Sequence, residues 1–215
     1  MPALAATKRL KIGTIGSGNV GGTLGKIWAK AGHEVMFSSL NLEHDKKLAA
    51  SIGANARAGT PKEAAAFGEV VLVSVPYRAL PDVGKEAGSL LRGKIVIDTC
   101  NPFPSRDGEI ANWAREKGAG LASAELLPGA RIVRTFNAVS WLRMADASKS
   151  AERVAMPMAS DDAEAVKVAS ELVREVGFEP VLIGPLAMGR HLMPGTPLAG
   201  EHKPDEIRKI AATLK

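Results

Sequence analysis

The amino-acid sequence predicts an α/β fold: a doubly wound, mostly parallel sheet with helices on both faces and a short C-terminal extension. Three observations carry this. Short β-prone apolar runs alternate with stretches of helical period from residue 10 to residue 183, the pattern of parallel strands joined by right-handed crossovers. Two of those runs, 70–75 and 94–98, are almost continuously apolar, as strands buried on both faces are. A glycine-rich turn at 16–21 stands between the first run and the first helical stretch, where a strand must bend sharply into a helix.

Each element has a local reason. Residues 10–15 form the first strand, ended by Gly16. Val20, Leu24, Ile27, Trp28 and Ala31 then share one face of a helix that Gly32 caps. A second strand at 34–38, a second helix at 45–52 and a brief third strand at 56–59 follow. Thr60, Pro61 and Glu63 form a helix start, in which Thr60 caps, Pro61 takes the first turn and Glu63 closes a capping box. The strand at 70–75 leads to a helix over 78–91, with Pro81 in its first turn, and then to the strand at 94–98. Beyond these, 109–117 is helical and 132–136 and 153–158 are strands. The helix at 161–176 has Asp161 and Glu164 at its positive end and an apolar stripe of Val166, Ala169, Leu172, Val173 and Val176. A strand at 179–183 closes the series, and 204–214 forms a last helix. The expected division is a tail at 1–9, one domain at 10–183 and an extension at 184–215.

Composition narrows the function classes. A chain of 215 residues can bury one substantial core. A single cysteine, Cys100, excludes an internal disulfide and a cysteine metal cage. The four histidines, at 33, 44, 191 and 202, lack the spacing of a metal motif, so no metal is expected. The formal charge of +5 suits an anionic ligand, and 4% aromatic residues offer little for stacking nucleic-acid bases. No nucleic-acid partner is therefore expected. No run of eighteen apolar residues occurs, and the start lacks the order of a secretory signal, so neither a membrane nor an export route is expected. The expected location is the cytoplasm.

The segment Gly16-Ser17-Gly18-Asn19-Val20-Gly21 carries the most chemistry. Gly16 permits the tight turn, Gly18 lets a pyrophosphate approach the backbone, and Gly21 lets helix and strand pack closely. The helix start adds unpaired N–H groups and a positive dipole. Together these predict a Rossmann-like dinucleotide site. The end of the second strand selects the dinucleotide. NAD binders usually carry Asp or Glu there, but this chain has Phe37-Ser38-Ser39-Leu40. Ser38 and Ser39 can donate hydrogen bonds, and His44, Lys46 and Lys47 place positive charge nearby. The expected cofactor is NADP(H).

The motifs resemble those of the NADPH-dependent coenzyme F-420 reductase family. The resemblance rests on the glycine turn, on Phe-Ser-Ser at 37–39, Val-Ser-Val-Pro-Tyr at 73–77, Asp-Thr-Cys-Asn-Pro at 98–102 and Arg-Thr-Phe-Asn-Ala at 134–138. Gly-Pro-Leu at 184–186, followed by Arg190, is similar to the family's closing segment. The resemblance implies that Ser17, Gly18, Asn19 and Val20 line the pyrophosphate and that Ser38 and Ser39 hold the 2′-phosphate. The family usually has an arginine directly after that serine. Leu40 stands there in this chain, leaving Lys46 or Lys47 to compensate. Val75, Pro76 and Tyr77 would border the adenosine ribose and nicotinamide side. Asn101, Pro102, Asn137 and Ala138 would lie near the nicotinamide.

Hydride transfer to a flavin or deazaflavin such as coenzyme F-420 needs orientation above all, because the rings supply the electronics. Asn101 and Asn137 are the expected orienting groups, with His191 beside them and Arg190 for an anionic part of the acceptor. Cys100 reads as a small buried apolar residue. The expected function is an NADP-dependent oxidoreductase acting on a small-molecule acceptor, as a homodimer. Two other readings stay open: a non-catalytic NAD(P)(H) redox sensor and a small imine or hydroxy-acid reductase.

Overall fold

The computed structural model describes residues 8–149 and 153–214. Of the expected tail at 1–9, residues 1–7 lie outside the described residues. The chain begins with β1 (Lys11–Ile15), α1 (Asn19–Ala31), β2 (Glu34–Ser38), α2 (Leu42–Ile52), β3 (Ala56–Ala58), α3 (Pro61–Phe67) and β4 (Val70–Val73). A 3-10 turn at Tyr77–Ala79 leads into α4 (Leu80–Leu91), β5 (Ile95–Asp98), α5 (Pro104–Asp107), α6 (Glu109–Lys117), α7 (Ala119–Leu126) and β6 (Arg131–Arg134). Then come α8 (Trp141–Asp146), β7 (Ala155–Ala159), α9 (Ala163–Val176) and β8 (Glu179–Gly184), a 3-10 turn at Leu186–His191, and α10 (Pro204–Thr213).

The strands form one sheet in the order β3-β2-β1-β4-β5-β6-β7-β8. The first six run parallel. β7 meets β6 antiparallel through the single pair Arg134 and Ala159, and β8 runs parallel to β7. The sheet is therefore mostly parallel, as expected. Strand order reverses between β1 and β4, and ligands of open α/β sheets bind at such a switch point, beyond the carboxyl ends of the strands.

Burial explains the strand choices. β4 and β5 are buried at every position, which is why their sequences do not alternate. One face is filled by Trp28, Phe37, Phe136 and Phe178 under α1 and α9, with the Trp28 indole donating to the Leu172 carbonyl at 3.0 Å. Tyr77, Leu80, Leu91 and Leu127 fill the other face. The C-terminal extension covers β7 and β8, where Leu198 and Ile207 join a third cluster with Val181.

Several boundaries differ from expectation. α2 starts at Leu42, three residues early, because the Asn41 side chain accepts from His44 N–H and caps it. The capping box of Thr60 and Glu63 forms as expected. Helices α5, α7 and α8 were not foreseen. α7, Ala-Gly-Leu-Ala-Ser-Ala-Glu-Leu, buries small residues and has no polar face to betray it.

Candidate functional site

The glycine turn lies at the switch point. Gly16 adopts φ +96°, and a Cβ there would stand 2.1 Å from the Ser74 carbonyl oxygen. At Gly21 a Cβ would stand 1.9 Å from the Gly16 carbonyl oxygen. Gly18 differs, because a Cβ there would meet nothing within 4 Å. The turn is thus closed toward the sheet and open toward solvent at Gly18, as backbone approach of a pyrophosphate requires. Gly18 is the N-cap of α1 and supplies no side-chain cap, and the first turn of α1 holds no acidic residue. Its leading N–H groups and the positive end of a 13-residue helix face the open side. The residues present fit a dinucleotide.

Two depressions flank this crest. The first, about 260 Å³, is lined by Ser17, Gly18, Asn19, Thr23, Lys26, His44, Leu48 and Trp141. The second, about 280 Å³, is lined by Asn19, Val20, Ser74, Val75, Pro76, Thr99, Asn101, Phe103, Arg106 and Trp141. It sits at the carboxyl ends of β1, β4 and β5. Trp141, at the start of α8, belongs to both walls. Neither Trp141 nor Arg106 was foreseen as a site residue.

Behind the second depression lies a buried polar network. Arg134 and Asp98 are both excluded from solvent, with Nη1 2.8 Å from Oδ2. Arg134 also donates to the carbonyls of Cys100, Gly189 and Leu192 and to Asn101 Oδ1 at 3.1 Å. With its oxygen engaged by Arg134, the Asn101 amide turns Nδ2 to the Asn137 carbonyl at 2.8 Å. Asn137 is itself buried, and neither polar atom of its carboxamide has a partner among the described residues. It follows Phe136, whose φ of +63° is unusual for an aromatic residue and is held by an edge-on contact with Trp28. Such a turn stores about 1–3 kcal/mol of strain, typical of positions that aim a neighbour at a ligand.

Other expected residues are placed differently. Ser38 is fully buried and donates to the Thr14 carbonyl at 2.7 Å, so its hydroxyl faces the strand rather than a phosphate. Tyr77 is not at the cleft. Its ring lies in the core and its hydroxyl pairs with the Ala119 carbonyl and Ser123, while burial raises its pKa. Pro102 and Ala138 are buried and line neither depression. Lys46 and Lys47 are exposed on α2, and Lys46 pairs with Glu43 at 2.8 Å. His191 lies in the 3-10 turn after β8, outside the walls of both depressions. Arg190, in the same turn, reaches toward the carbonyls of Glu116 and Lys117. Cys100 is buried, and burial raises its thiol pKa well above the ordinary value. Among the described residues no helix is long and apolar enough to cross a membrane.

The chain is similar to known proteins in sequence and in fold. Residues 11–102 match the model of a family described as "NADP oxidoreductase coenzyme F420-dependent". The metalloreductase STEAP3 of Rattus norvegicus is 28% identical over 185 residues, a match covering 85% of this chain and 35% of that protein. The chain therefore corresponds to only a part of that relative. An F420-dependent NADP reductase of Methanothermobacter thermautotrophicus is 29% identical over 205 residues, covering 88% of this chain and 87% of that one. Among solved structures, a hypothetical protein from Sinorhizobium meliloti superposes with a TM-score of 0.75 at 24% identity, covering 92% and 96% of the two chains. An imine reductase from Myxococcus stipitatus superposes with a TM-score of 0.61 at 17% identity, covering 56% of its chain. These structures share the fold. The resemblance read from the motifs is borne out.

Proposed function

We propose that this chain, whose residues 11–102 match the F-420-dependent NADP oxidoreductase family, binds NADP(H) over its glycine turn and exchanges hydride with a flavin or deazaflavin. The observation that carries this is the shape of that turn: it is sealed toward the sheet at Gly16 and Gly21 and open at Gly18, directly before a helix start. The pyrophosphate end belongs to Ser17, Gly18, Asn19 and Val20. Ser39, with Lys46 and Lys47, stands on the side of the 2′-phosphate. Val75, Pro76 and Asn101 line the path to the nicotinamide end, and the bound dinucleotide supplies the hydride.

The acceptor ring belongs to the second depression, between the Trp141 indole and the wall of Phe103 and Arg106. Proximity and alignment of two rings are what such a cavity provides, and no acid–base pair is needed in its walls. The nearby thiol is buried and protonated, which keeps it out of the chemistry. Phe103 carries the Arg106 guanidinium 5.0 Å from its ring centroid, and the bidentate pairing of Arg106 with buried Asp107 fixes that guanidinium in the wall. The reading extends to a cytoplasmic homodimer, with the exposed Leu182 on edge strand β8 in its support. Light scattering tests that assembly.

The function is tested by following NADPH oxidation with coenzyme F-420, FMN, riboflavin and ferric chelates in turn. Turnover with a ring acceptor is expected. Tight NADPH binding with no turnover on any acceptor would overturn the enzyme reading and leave a redox sensor.

A further inference from the structure

Asp45 stands in the first turn of α2 and is wholly excluded from solvent. Nothing in the hydride-transfer scheme uses it. Its Oδ1 accepts from the Ser17 hydroxyl of the glycine turn, and its Oδ2 accepts from the Ser39 hydroxyl at 2.9 Å. One carboxylate therefore joins the pyrophosphate turn to the residue just past β2. Ser39 Oγ also receives the Asn41 N–H at 3.0 Å. The ribose end of a dinucleotide meets the residue at this strand end.

We propose that Asp45 is a selectivity residue for the dinucleotide: a fixed negative charge behind Ser39 that weakens 2′-phosphate binding relative to a plain 2′-hydroxyl. The inference rests on the dinucleotide reading of the glycine turn above and limits how strongly that site favours NADPH over NADH. A 2′-phosphate needs a donor, but the Ser39 proton is already shared between Asp45 Oδ2 at 2.9 Å and the Asn41 carbonyl at 3.3 Å, with Asp45 the nearer. Turning it outward would leave a buried carboxylate oxygen without its partner, which is costly. A ribose 2′-hydroxyl faces no such conflict, because it can donate to the Ser39 oxygen and leave the bond to Asp45 in place. Like charges add to the difference, since a phosphate and a carboxylate separated by one hydroxyl repel.

Among the described residues no cation pairs with this carboxylate, and the basic side chains of α2, His44, Lys46 and Lys47, are exposed on the helix surface. Leu40, the next residue, is fully exposed and apolar. The Lys46 ammonium is paired with Glu43 on the outer face of α2. The Ser38 hydroxyl is committed to Thr14.

The test measures Kd for NADPH and for NADH by nucleotide fluorescence, with no acceptor present. In Asp45→Asn the affinity for NADPH should rise about tenfold relative to that for NADH, the scale of one partly screened charge. Ser39→Ala removes the hydroxyl between the charge and the ribose, and there the NADPH-to-NADH preference should fall several-fold. An unchanged preference in both variants, or equal weakening of both nucleotides, would overturn the inference and leave Asp45 as a structural tie. If Asp45→Asn does not fold, the Ser39→Ala result decides alone. A wild-type protein that binds neither nucleotide would instead overturn the functional reading itself.

Discussion

Arg134 and Asp98 face each other in register across the β5–β6 ladder, and the guanidinium lies 2.8 Å from the carboxylate in a place no solvent reaches. Among the described residues, every side-chain partner of Arg134 is at the carboxyl end of the sheet or in the segment after β8: Asp98, Cys100, Asn101, Gly189 and Leu192. The pair thus lies behind the second depression, holds Asn101 in its wall and ties the C-terminal extension to it. Burying an ion pair is costly unless its remaining hydrogen bonds are made, and here the Cys100 N–H fills the other Asp98 oxygen at 2.8 Å.

Arg134→Ala should lose about 3–5 kcal/mol of stability, because it strands Asp98 as an uncompensated buried charge. The double variant Arg134→Met with Asp98→Asn should lose clearly less than Arg134→Ala alone. Urea denaturation at neutral pH measures both. Equal losses would mean that the charge of Asp98 is not what Arg134 compensates.

Two glycines of the turn should behave in opposite ways. Gly18→Val adds a side chain where nothing stands within 4 Å, so the protein should keep its melting temperature and lose nucleotide binding. Gly21→Ala puts a methyl group 1.9 Å from a backbone oxygen, so helix and strand must separate. That variant should lose about 1–3 kcal/mol, as overpacked sites do. Thermal melts with and without NADPH separate the two effects, and nucleotide binding retained in Gly18→Val would move the pyrophosphate elsewhere.

Much of the fold was legible because local rules and tertiary structure agree. The runs at β4 and β5, the Thr60 capping box and the glycine turn each state one structure only. The site was less legible. A serine at a strand end reads as a ligand, yet only the folded structure turns the Ser38 hydroxyl to the Thr14 carbonyl and the Ser39 hydroxyl to Asp45. Arg134 lies in a motif that reads as a strand, but an arginine is exposed by default, and only the neighbouring strand supplies Asp98. Asp45 reads as an ordinary first-turn carboxylate. Its burial follows from the packing of α2 against the glycine turn, which no sequence spacing encodes. Trp141 was hidden by the same distance, since α8 is remote in sequence from the turn it faces.

Trp141 lines both depressions, about a third exposed to solvent. If an acceptor ring packs on it, Trp141→Ala should raise the acceptor KM about 2–10-fold, the worth of one aromatic contact. The Kd for NADPH should change far less, because the glycine turn is untouched. Trp141→Phe should recover most of the loss. Steady-state kinetics with NADPH saturating check this, and an unchanged acceptor KM in Trp141→Ala would place the ring elsewhere.

Acid should weaken the second half of the sheet through Asp162. This residue caps α9 by accepting the Ala165 N–H at 2.9 Å, and it pairs bidentately with Arg131 at 2.6 and 2.9 Å. The Arg131 hydrogen bonds hold its carboxyl far below the ordinary 3.8, helped by the N–H of Ala165. A lowered folded-state pKa means that the folded protein binds the proton less readily than the unfolded chain. The stabilisation is therefore complete well above 3.8 and is lost as pH falls below it toward the folded value. The pair is largely solvated, which limits its share, and the cap is worth about 1 kcal/mol. Asp162→Asn keeps a capping oxygen but not the charge. It should be less stable than wild type at pH 7, by about 1 kcal/mol or less, and the gap should begin to narrow only below pH 3.8 and keep narrowing as the pH falls further toward the folded value. Urea midpoints at pH 7 and at a series of pH values below 3.8 measure it, and a gap that stays constant down that series would show that the carboxylate's charge is not the source.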